Sequence, residues 1–121
     1  GAALDTGNGY TVYCDPNDDV EALAQFAFTT HMKDMQMVPS PMRGLIPLVP
    51  RGCRLGEGHV DIPRAVQLLA SRSPRAVGLH LIVEGGWDTF DPDGPCAHDI
   101  RRDVLEDGVR YLTRLIESTE G

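Results

Sequence analysis

Asp5, His31 and Glu84 are the side chains of this 121-residue chain whose types and placement most readily combine into chemistry. Each stands at the carboxyl end of a short stretch that reads as a strand: Ala2 to Thr6, Phe26 to His31 (FAFTTH) and Ala76 to Glu84 (AVGLHLIVE). Adjacent parallel strands lie roughly 5 Å apart, so three strand ends in register can aim three groups at one point. In sheets built from βα repeats, ligands bind at that end. An Asp, His and Glu set suits Mn²⁺, Mg²⁺, Co²⁺ or Zn²⁺, and softness alone does not choose among them. Each residue also has a plain structural use. Asp5 can end a strand in an Asx turn, His31 can be a satisfied buried imidazole, and Glu84 can cap a strand beside Gly85-Gly86. A buried, unpaired Glu after so apolar a strand is costly, and a bound cation relieves that cost.

The elements that must position these groups alternate along the chain. Gly7 to Pro16, rich in Gly, Asn, Asp and Pro, is a loop. Asp18 with Glu21 resembles a capping box for a short helix through about Gln25, with Val20, Leu23 and Ala24 on one side. After the second strand, Lys33 to His59 shows no clean periodicity and reads as a long loop. Asp61 then caps a helix that tolerates Pro63 in its first turn and buries Ile62, Val66 and Leu69. Ala76 to Glu84 is nearly continuous in apolar residues, as a parallel strand covered on both faces should be. The closing helix, from about His98 to Ser118, repeats Ile100, Val104, Leu105, Val109, Leu112, Leu115 and Ile116 at helical spacing. The order is β-α-β-α-β-α, an α/β class, with residues 1–121 in one domain and no second.

Composition narrows the partners. The formal net charge of -7 disfavours nucleic acid and anionic membranes. No apolar run approaches the roughly 18 residues that span a bilayer, and GAALDTGN at the start lacks the basic region of a signal peptide. The 3 cysteines, Cys14, Cys53 and Cys96, form no CxxC pair. They read as reduced thiols of a cytoplasmic protein. Asp88, Asp91 and Asp93 lack EF-hand spacing and read as a solvated loop.

LDTGN at Leu4–Asn8, HMKD at His31–Asp34, LGEGHVDIPRAV at Leu55–Val66, the acidic strand end Glu84 and VRYL at Val109–Leu112 occur in that order. The series resembles the carboxyl-terminal part of the xylose-isomerase-like sugar phosphate isomerase/epimerase superfamily, and the resemblance covers essentially the whole chain. It implies the last three strand–helix units of a (β/α)8 TIM barrel, which is incomplete as a single chain. A whole barrel takes about 250 residues, so a second chain or a preceding part is expected to complete it. Left alone, the three units would expose two sheet edges and an apolar sheet face.

The resemblance implies metal ligation by Asp5, His31 and Glu84, with Glu84 also the acid/base group. The family's fourth ligand, a Glu that doubles as the second base, falls outside this chain. The implied activity is a metal-dependent isomerase or epimerase acting on a ketose or hydroxy-ketone, by proton transfer through a metal-stabilised enediolate. Asn8, just past the metal aspartate, Lys33 and Trp87 are candidate substrate contacts. Lys33 can equally be a solvated charge, and Trp87 can simply pack its loop. Asp34 is expected to orient a ligand from behind, and His80, sharing strand parity with Glu84, to point into the barrel. HMKD is as similar to the inosose-dehydratase branch, which makes a lyase the alternative. A catalytically inert fragment awaiting its partner is a third reading.

Overall fold

The computed structural model describes residues 1–40, 44, 47–85 and 102–120. Their strands and α-helices follow as β1 (Ala2–Asp5), α1 (Pro16–Leu23), β2 (Ala27–Met32), β3 (Asp34–Pro39), β4 (Leu48–Cys53), α2 (Ile62–Arg72), β5 (Leu81–Val83) and α3 (Arg102–Glu120). β1, β2 and β5 form a parallel sheet in the order β1-β2-β5. Asp5 pairs with His31, and His31 with Ile82, so these three are level across the sheet and Glu84 follows just past the end of β5.

The sheet has two unlike faces because strand side chains alternate. Leu4, Met32, Leu81 and Val83 face the helices and share one core with Val20 of α1, Val66 and Leu69 of α2, and Leu112 of α3. Ala3, His31 and Ile82 lie on the opposite face and are exposed. The candidate ligands belong to that second face.

Local chemistry sets the helix starts. Asp15, not Asp18, caps α1: its side chain accepts from Asn17 N at 2.9 Å, and Pro16 takes the first helical position. Pro at that position wastes no N–H, and Asp18 instead lies in the first turn, where its charge suits the positive helix end. Asp61 caps α2 as its position before Ile62-Pro63 suggests, accepting from Arg64 N at 3.0 Å.

Three expectations change. The stretch 33–59 is not a plain loop: β3 and β4 form an antiparallel hairpin, paired from Asp34↔Cys53 to Pro39↔Leu48. Pro39 and Pro50 are tolerated because a two-stranded ribbon has only edges. A single residue, Lys33, separates β2 from β3. The apolar run 76–84 is a strand only at Leu81–Val83. Ala76–Gly78 form a turn that closes on Gly78 at φ +87°, and Val77 is 99% exposed. His80 is accordingly exposed before the strand begins. The start of the last helix expected at His98 lies outside the described residues, as do Cys96 and the acidic run 88–93. Among the described residues, no helix is long and apolar enough to cross a membrane.

Candidate metal centre

β1 delivers Asp5 at its last residue, and the chain then turns sharply. Gly7 N and Asn8 N both donate to Asp5 Oδ1 at 2.9 Å. The Asx turn and the ligand role are therefore not rivals: Oδ1 shapes the turn and Oδ2 is left to face the site. β2 delivers His31, whose side chain is 50% exposed on the open face. Glu84 follows β5, its backbone held by the bond from Glu84 N to Met32 O at 3.0 Å.

One candidate donor atom from each of Asp5, His31 and Glu84 can be chosen so that all three lie within 4.8 Å of one another. His31 Nδ1 stands 3.2 Å from Glu84 Oε2. Lys33 Nζ stands 3.1 Å from Glu84 Oε2 and 3.2 Å from Asp5 Oδ2. Asp5 Oδ2 and Glu84 Oε2 are nevertheless buried oxygens that no hydrogen bond reaches. The lysine and histidine nitrogens meet them as ion pairs, and the ammonium also donates a hydrogen bond to Asn8 Oδ1 at 2.9 Å. Two buried carboxylate oxygens are expensive without a cation, and here the Lys33 ammonium pairs with both. The donor set, two carboxylates and an imidazole, fits a hard or borderline divalent ion.

Asn8 and Lys33 thus stand with the three predicted ligands, and Trp87 lies outside the described residues. Lys33 is not a solvated charge, since its side chain is only 12% exposed. Asp34 does not orient a ligand. It is buried, and its carboxylate accepts from Met35 N, Gly56 N, Gly58 N and Val60 N at 2.9 to 3.1 Å. It ties β3 to the segment that leads into α2. Burial pushes its carboxyl upward from the usual range, against the pull of those four N–H groups.

Thr6 is the functional neighbour that pattern reading passed over. Its fully buried hydroxyl donates to Lys33 O at 2.7 Å and accepts from Lys33 N at 2.8 Å. The signal was available in LDTGN, where a hydroxyl follows the ligand aspartate. Elsewhere, an open groove of about 420 Å³ runs between Arg54, Tyr111 and Arg114, where Arg54 is engaged by Asp103 and Asp107. No protein-family model matches the chain, and no curated protein matches it.

Proposed function

We propose that this chain is the carboxyl-terminal part of a (β/α)8 barrel that isomerises or epimerises a ketose or hydroxy-ketone with the help of a divalent cation. The observation that carries the reading is the meeting of Asp5, His31 and Glu84 at three adjacent parallel strand ends, where one candidate donor atom from each lies within 4.8 Å of the others. Asp5, His31 and Glu84 would hold the cation. When bound, it supplies Lewis-acid polarisation of a substrate carbonyl.

The chain's own residues then divide the work. Glu84 takes the proton from the carbon beside the carbonyl, and the electron pair passes to the carbonyl oxygen. Asn8 offers its amide, and Lys33 its ammonium, to substrate oxygens at the mouth of the site. Returning the proton to another face or carbon takes a second acid, which on this reading a second chain or a preceding part of the barrel would supply. The open sheet face beside His31 and Ile82 is where that part would sit. The same reading puts the protein in the cytoplasm, in keeping with the free thiols of Cys14 and Cys53.

Deuterium uptake from solvent into a ketose, followed by NMR with the completed barrel, tests this. Exchange should require the metal and vanish in Glu84→Gln; exchange that survives either change sinks the proposal. Dehydration is the second reading, favoured by the Lys33 ammonium 3.1 Å from Glu84, where it can protonate a departing hydroxyl. Loss of water from the product, seen in the same spectra, distinguishes it.

A further inference from the structure

Lys33 is the only lysine in the chain; the rest of its 11 Lys and Arg residues are arginines. A permanent partner for two carboxylates is at least as well served by arginine, whose flat fork matches carboxylate geometry. An ammonium differs in being a compact point charge on a flexible stem. It is the side chain closest in kind to a small hard cation.

Its position bears this out. Lys33 Nζ lies 3.2 Å from Asp5 Oδ2 and 3.1 Å from Glu84 Oε2. Among the described residues, these are the buried side-chain oxygens that receive no hydrogen bond. Its directed bond goes instead to Asn8 Oδ1, on the exposed side of the cluster. The rest of the residue is held firmly. Thr6 Oγ1 bonds both its N and its O, and its stem packs on Gly7, where an added Cβ would lie 3.1 Å from Lys33 Cγ. Only the head group is free to choose between partners.

We infer that Lys33 is a tethered counter-cation: its ammonium and a divalent metal ion are alternative occupants of the Asp5–Glu84 carboxylate pair. Metal loading moves the Lys33 head away from the pair, while Thr6 keeps the backbone of the β2–β3 junction still. The inference rests on the metal-centre reading proposed above and adds a consequence to it. The chain carries its own competitor, so its metal affinity is lower than its ligands alone would give.

Calorimetric titration with Mn²⁺ of the intact chain, Lys33→Met, Lys33→Gln and Asp5→Asn provides the test. Both Lys33 variants should bind Mn²⁺ about tenfold or more tightly than the parent, the scale on which neighbours of ligands tune metal affinity. A second readout needs no substitution. Because Lys33 is the only lysine, its acetylation by an amine-reactive ester is read by peptide mass mapping, which separates it from acetylation of the α-amine. Saturating Mn²⁺ should speed that acetylation as the head group is released. If the parent binds Mn²⁺ but both variants bind no tighter, or if Mn²⁺ leaves acetylation unchanged or slows it, the inference is overturned and the metal centre stands. If neither parent nor Lys33 variants bind Mn²⁺, the metal centre itself is wrong and the inference falls with it. Should the variants lose their fold by circular dichroism, acetylation of the unmutated chain decides.

Discussion

Thr6 and Lys33 hold each other across the carboxyl end of the parallel sheet: the Thr6 hydroxyl donates to Lys33 O at 2.7 Å and accepts from Lys33 N at 2.8 Å. The hydroxyl thereby pairs both backbone groups of the one residue between β2 and β3. Thr6→Val keeps the shape and removes both bonds. It should cost about 1–3 kcal/mol, since the groups it strands are partly buried, as measured by urea unfolding. It should also speed acetylation of Lys33. An unchanged midpoint and an unchanged labelling rate would show that the latch holds nothing.

Asp34 predicts a pH dependence whose sign follows from its burial. Its carboxyl is raised in the folded chain, chiefly by desolvation. The folded state therefore keeps this proton at pH values where the unfolded chain has released it. Stability from this group is full below the ordinary carboxylate range, near pH 4, and is lost as pH rises through the raised folded value. Asp34→Asn removes that slope. It also turns an NH₂ toward backbone donors among Met35, Gly56, Gly58 and Val60, and should cost about 2–4 kcal/mol at neutral pH. Urea titrations of both chains across acid to neutral pH check the slope and the offset together.

Cys14 and Cys53 should differ sharply toward alkylating agents. Cys14 is exposed. The Cys53 thiol is pushed up to about 12, first by burial and then by the charges of Asp34 and Glu57. The thiolate is the reactive form, so Cys53 should label slower than Cys14 by about two orders of magnitude or more near pH 8. Peptide mapping after timed iodoacetamide treatment measures the ratio, and comparable rates would contradict the half-buried setting of Cys53.

Asp61→Ala tests the start of α2. It removes the acceptor for Arg64 N and should lower stability by about 1 kcal/mol. Asp61→Ser, which keeps a capping oxygen, should recover most of the loss in thermal unfolding.

What the sequence made legible follows from how local each signal is. The cap at Asp61 lies within a few residues of the Pro63 that marks it. The meeting of Asp5, His31 and Glu84 is long-range, yet readable, because parallel strands joined by helices put their ends side by side. The β3–β4 hairpin was hidden because Pro39, Pro47 and Pro50, with Gly44 and Gly52, break the alternation by which a strand is usually seen. β5 was overextended because AVGLHLIV is apolar throughout, and only the backbone shows that Gly78 turns the chain before Leu81. The setting of Lys33 could not be read from its own neighbours, because Thr6 holds it from 27 residues away.

The one-residue junction between β2 and β3 sets where this chain can change its length. Side chains alternate along a strand, so an insertion or deletion between Met32 and Asp34 would exchange the two faces of everything that follows in β3. A deletion would remove Lys33 itself, and a single added residue would turn Asp34 from its donors Gly56 N, Gly58 N and Val60 N. At the far end of the hairpin, past the Pro39↔Leu48 pair, added residues leave that phase untouched. Related chains are therefore expected to keep the count from His31 to Asp34 constant and to vary freely in length at the far end.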